Sequence, residues 1–76
     1  MKPSDVAWSI RERILAFESR VEEATLEVRP EGPRSHFNQM RFAIQGSIRA
    51  DRMSSIDFLV YSTLDLESGT ARVSPP

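Results

Sequence analysis

Val6, Ala7, Ile10, Ile14, Phe17 and Val21 recur at helical spacing. At roughly 100° per residue they fall on one apolar stripe, which predicts an amphipathic helix with those six residues on its core face. Ser4-Asp5 stands just ahead of the stripe, offering a capping hydroxyl and a first-turn acid suited to the helix dipole. After Phe17 the period shortens. Leu26 and Val28 alternate with Thr25, Glu27 and Arg29, the pattern of a half-buried strand. Pro30-Glu31-Gly32-Pro33-Arg34-Ser35 reads as a loop, since two prolines and a glycine cannot hold a sheet ladder.

The clearest strand follows. Met40, Phe42, Ile44, Gly46 and Ile48 take one face, and Arg41, Ala43, Gln45, Ser47 and Arg49 the other; Gly46 suggests a bulge or a close backbone approach. Asp51 to Ser55 turns the chain into a third strand, Ile56 to Leu64, where alternation partly fails. Ile56, Phe58 and Val60 suit a core face, yet Leu59 and Tyr61 opposite them are also apolar. Glu67-Ser68-Gly69 predicts a tight hairpin and Thr70 to Val73 a short last strand.

The sum is an α+β domain over residues 1–76, with one N-terminal helix packed on a four-stranded antiparallel sheet and frayed ends at 1–3 and 74–76. One helix covers one face of such a sheet, so Leu59 and Tyr61 are expected on the other face or beneath a partner. Trp8 and Leu15 stack one above the other on the helix, away from the core stripe, and Arg11 and Glu12 flank them. Trp is enriched in the centres of interfaces, so this pair is a candidate second packing face, against the plain alternative of two solvated apolar side chains.

Size and composition narrow the function. A chain of 76 residues buries only about 60% of the surface its unfolded form exposes, so stability rests on very good packing or on a partner. No cysteine is present, which removes disulfides and thiolate metal sites together. Ten Lys and Arg balance eleven Asp and Glu without a basic stripe, arguing against nucleic acid. No apolar run is long enough for membrane insertion, and Met1-Lys2-Pro3 does not begin a signal peptide, so a cytoplasmic location is expected. His36, the only histidine, stands in the Pro/Ser-rich loop with no nucleophile or carboxylate placed beside it. With no phosphate-binding glycine loop and no metal-ligand spacing, the residues point to a non-enzymatic protein without cofactor or metal.

Glu18 and Arg20 lie at the joint between helix and sheet. Two residues apart, they do not face each other on a helix, so either the helix ends here or each reaches a different partner. One reading is a solvated helix end; the other is a clamp, with Glu18 accepting backbone N–H bonds and Arg20 gripping a carbonyl or carboxylate of a neighbouring segment.

Phe17-Glu18-Ser19-Arg20-Val21, then Leu26-Glu27-Val28, the long strand Met40-Arg41-Phe42-Ala43-Ile44 and the ending Ser62 to Val73 come in an order with a known counterpart. Together they resemble the baseplate wedge family of contractile injection machines, which includes the lysozyme-like baseplate subunit of type VI secretion and its phage-tail counterpart. That family carries a Phe-Glu-Pro-Arg signature at a helix end, a Val-rich strand, a long alternating strand, and a final strand and hairpin of the Asp-x-x-Thr/Ser-Gly kind. The resemblance covers nearly the whole chain and places it in the C-terminal part of the family fold, the usual N-terminal half with another helix and hairpin falling before it. Ser19 stands at the signature's proline, so the joint keeps an N–H and loses a fixed φ. The resemblance implies a structural component that docks sheath subunits and other baseplate proteins by strand addition, with Glu18 and Arg20 positioning the docking strands. The Trp8/Leu15 face would then be what the family's other half covers, and in its absence a route to a homo-oligomer. An alternative is a cytoplasmic regulatory protein acting through that face, since a bacterial anti-adaptor that protects a stress sigma factor has a domain similar to this family.

Overall fold

A computed structural model describes residues 2–31, 39–65 and 67–75. Most of the expected loop after Glu31, His36 included, lies outside the described residues, as do Met1, Leu66 and Pro76. Helix α1 runs Pro3–Phe17. Its first residue is the proline, whose fixed φ and missing N–H suit that position, and Lys2 rather than Ser4 is the N-cap residue, with no side-chain cap bond. Pro3, expected to fray, is therefore helical.

The helix meets the sheet through its first half. Val6 and Ala7 are buried with Met40 and Phe42, and Ile10, Val28 and Leu64 pack around them. The expected core stripe fails at its far end, for Phe17 is 79% exposed. The helix stops there: Glu18 turns to an extended backbone at φ −118° and ψ 90°, its N–H closing on the Ile14 carbonyl. Val21 is consequently not on the helix at all; it forms a single antiparallel bridge with Ile48.

Strands β1 (Glu27–Pro30), β2 (Gln39–Arg49), β3 (Ser55–Asp65) and β4 (Ala71–Ser74) form one antiparallel sheet in the order β1-β2-β3-β4. Thr25, expected in the first strand, sits instead in a 3-10 turn, Glu23–Thr25. The β2–β3 register is continuous from Gln39 opposite Asp65 to Arg49 opposite Ser55, so Gly46 marks no bulge. It marks a close approach: a methyl added there would stand 3.1 Å from Phe58 Cζ and 3.3 Å from the Leu26 Cα. Phe58 uses the space that glycine leaves.

Paired residues share a face, so Val28, Met40, Phe42, Ile44, Ile48, Ile56, Phe58, Val60 and Leu64 lie on the helix side. The helix cannot cover that side throughout. Fifteen residues make a rod of about 22 Å, whereas eleven-residue strands run about 36 Å. Ile56, near the β2–β3 turn, is left 61% exposed.

Two aspartates shape the hairpin turns. Asp51 Oδ1 accepts the N–H groups of Met53 and Ser54 at 2.8 and 2.9 Å. Asp65 Oδ1 does the same for Glu67 at 2.9 Å and Ser68 at 3.3 Å, and Gly69 follows at φ 74°, the left-handed conformation that glycine adopts without strain.

Candidate protein-docking site

The corner that joins α1 to the sheet is built by its backbone. Val21 N–H donates to the Glu18 carbonyl at 3.2 Å, the Arg20 carbonyl accepts from Arg49 N–H at 2.8 Å, and Glu22 N–H donates to the Ser47 carbonyl at 2.9 Å. The Glu18 and Arg20 side chains are exposed and make no hydrogen bond or ion pair among the described residues. Among the described residues neither side chain makes the grip expected of a clamp. A groove of about 590 Å³ opens beside them, with Arg20, Glu22, Arg49 and Asp51 on its walls. With Glu23 also on its wall, two cations and three acids there hold no single-sign field that would gather a charged ligand.

Trp8 and Leu15 are separated in environment. Trp8 is 60% exposed, whereas Leu15 is half-buried. Between them Arg11 stacks over the Trp8 ring at 5.3 Å and reaches the Glu23 carbonyl at 3.4 Å, while its Nη1 lies 3.7 Å from Glu12 Oε1. The chain thus occupies part of this face itself, through one long cation whose stem and head cover apolar surface.

Leu59 and Tyr61 lie on the helix-free face, in register with Gln45 and Ala43. Both are half-buried, and Ala43 beneath is 2% exposed. That face covers itself with its own polar side chains. The Arg41 guanidinium sits 4.3 Å above the Tyr61 ring, and Arg29 joins Gln45 at 3.4 Å and Glu27 at 3.5 Å. On this face it is the Arg41 guanidinium, not a second layer, that lies over Tyr61.

What the sequence did not single out is the asymmetry of the sheet edges. The outer edge of β2 is bonded along nearly its whole length, by β1, by the corner residues 20–22, and by Thr25 Oγ1, which accepts the Ser47 N–H at 3.0 Å. Among the described residues the outer edge of β3 is paired only from Tyr61 to Asp65, by β4 and by Thr70 and Gly69 of the hairpin. Among the described residues no backbone pairs with that edge from Ser55 to Val60. Pro75 stands where the β3–β4 ladder would next continue, and having no N–H it cannot extend the pairing. The outer side of β4 is open as well, and all four of its residues are exposed.

Among the described residues there is no group of three or more His, Asp or Glu placed to hold a metal ion, and no helix is long and apolar enough to cross a membrane. Compared with known proteins, the chain matches no family model, no curated protein and no solved structure.

Proposed function

We propose that this chain is a non-enzymatic, cytoplasmic docking component that takes an extended segment of its partner as a fifth strand on the outer side of β4. The observation that carries this reading is the open β4 edge, four exposed residues with main-chain donors and acceptors directed outward. Strand addition needs only such an edge for affinity, and alternating side chains set the register. In the setting implied by the baseplate resemblance, the incoming strand belongs to the contractile sheath. The Glu18/Arg20 corner borders β2 at Arg49, on the far side of the sheet from β4. It is therefore a second contact point, suited to another baseplate protein through its unpaired charges.

The test is capture of sheath subunits by this chain. Arg72→Pro and Val73→Pro are compared, because neighbouring residues of a strand direct their N–H groups to opposite sides. The variant whose N–H faces outward should lose capture while keeping the β3–β4 pairing. Glu18→Ala/Arg20→Ala should leave sheath capture intact and weaken binding to other baseplate proteins. Absence of capture by the unmodified chain would overturn the sheath assignment.

A second reading rests on Trp8. Its 60% exposure under a single stacked cation would suit sequestration of a regulatory partner. Under that reading Trp8→Ala abolishes partner binding and both proline variants retain it.

A further inference from the structure

We infer that the strand β4 takes is acidic at its centre: an antiparallel segment that sets a carboxylate opposite Arg72 and apolar side chains opposite Ala71 and Val73. This rests on the strand-addition reading and names the chemistry of the segment which that reading calls for.

The backbone decides which residues of β4 receive the strand. The Thr70 carbonyl accepts the Asp65 N–H at 2.8 Å, so Thr70 directs its main-chain groups toward β3. Neighbouring residues of a strand direct theirs to opposite sides. Ala71 and Val73 therefore turn outward, and Arg72 and Ser74 inward. Pro75, next in the outward set, has no N–H. Within β4 the outward donors are those of Ala71 and Val73, and Arg72 stands midway between them. To an antiparallel newcomer Arg72 offers a position without main-chain bonds. Facing residues come closest at such positions, with Cα atoms about 4.5 Å apart.

Arg72 lies on the helix-free face, exposed, and makes no hydrogen bond or ion pair among the described residues. Its cross-strand row runs Arg41, Thr63, Arg72. Arg41 is occupied with the Tyr61 ring and has Glu31 beside it on the β1 side, where the Glu31 N–H meets the Arg41 carbonyl at 2.8 Å. Asp65, one row away, has its Oδ1 taken by the N–H groups of Glu67 and Ser68. Arg72 thus faces Thr63 on one side and an empty position on the other. Opposite charges directly across a ladder stabilise it and like charges destabilise it. Arginine, moreover, holds a carboxylate through two parallel N–H bonds. The cation that favours an acid also disfavours strands bearing lysine or arginine there. On the helix side, Val73 is 69% exposed beside Ser62, and an apolar residue one strand further out would cover it. The two faces of β4 together specify an apolar–acid–apolar segment.

The test uses synthetic peptides with blocked termini, Thr-Val-Glu-Val-Thr and its counterparts with Gln or Lys at the centre. Each is titrated to millimolar concentration into the isotope-labelled full chain while amide shifts are followed by NMR. The Glu peptide should shift the amides of β4 and bind about threefold more tightly than the Gln peptide, as expected for one cross-strand ion pair. Arg72→Gln should abolish that preference, and Arg72→Glu should reverse it in favour of the Lys peptide, both with unchanged circular-dichroism spectra. Equal binding of the Glu and Gln peptides at β4, or a preference that survives Arg72→Gln, would overturn the acidic assignment while strand addition stands. Peptides that shift no β4 amide would overturn both. Self-association of the unmodified chain that Val73→Pro abolishes would assign the edge to a second copy and overturn the proposal. Absence of sheath capture with the peptide preference intact overturns the sheath assignment alone, so the two readings fail independently.

Discussion

The Thr25 hydroxyl oxygen accepts the Ser47 backbone N–H at 3.0 Å and donates to the Glu22 carbonyl at 2.8 Å. One side chain thereby fills a gap in the sheet where the chain swings out through its 3-10 turn between the Val21 bridge and β1. Ser47 is buried, so its N–H without this acceptor would be poorly solvated. Thr25→Val keeps the shape and removes the oxygen. It should cost about 1–2 kcal/mol, within the range for a stranded buried donor, while Thr25→Ser stays within about 0.5 kcal/mol. Urea denaturation of both variants checks this.

Gly46→Ala should also destabilise the domain. Away from a strained conformation, Gly→Ala gains up to about 1 kcal/mol by restricting the unfolded chain, but here the added methyl meets Phe58 Cζ at 3.1 Å and the Leu26 Cα at 3.3 Å. The ring can turn aside; the Leu26 backbone, with its side chain buried, yields less readily. A net loss of about 1 kcal/mol is expected from this overpacking. Phe58→Leu in the same chain should recover part of it, a coupling that a double-mutant cycle measures.

Stability should carry an acid limb from Asp51. Hydrogen bonds from the Met53 backbone and then from Ser54 hold this carboxyl below its usual range. A group whose folded pKa is depressed contributes stability that is present above the unfolded value and lost as pH falls through the folded one. Asp51→Ala should therefore melt lower than the unmodified chain at neutral pH. The gap should narrow on acidification and become constant below the folded pKa, as thermal melts across the acid range would record.

Arg41→Ala should expose Tyr61. The guanidinium 4.3 Å from the ring contributes about 0.5–1 kcal/mol at a site this open. The loss should be accompanied by greater quenching of tyrosine fluorescence by added acrylamide, whereas Arg41→Lys should retain part of the cover.

The period-2 pattern of Met40 to Arg49 foretold β2 and its two faces because alternation is a local property of extended chain. The same rule misplaced Thr25. Its neighbours alternate as a strand does, and only the position of Ser47 across the sheet makes a hydroxyl in a turn the better ladder partner. The helical stripe located α1 but overran it, since Val21 keeps the spacing after the backbone has left the helix, and Phe17, the last helical residue, is exposed rather than in the core. Glu18 and Arg20 were legible as unpaired charges at a joint. That their backbones, not their side chains, secure the corner depends on Arg49, twenty-nine residues further along from Arg20.

By itself the sequence determined the α+β class, the order of elements and the places of the two hairpin turns, at Asp51 to Ser55 and Glu67 to Gly69, because periodicity, proline and glycine act within a few residues. Tertiary structure decided which edges stay open and which apolar side chains stay uncovered. Those outcomes depend on how far a helix rising 1.5 Å per residue reaches along strands rising about 3.3 Å per residue, and on where β4 stops beside β3. Neither relation belongs to any one segment, so neither is written in a local pattern.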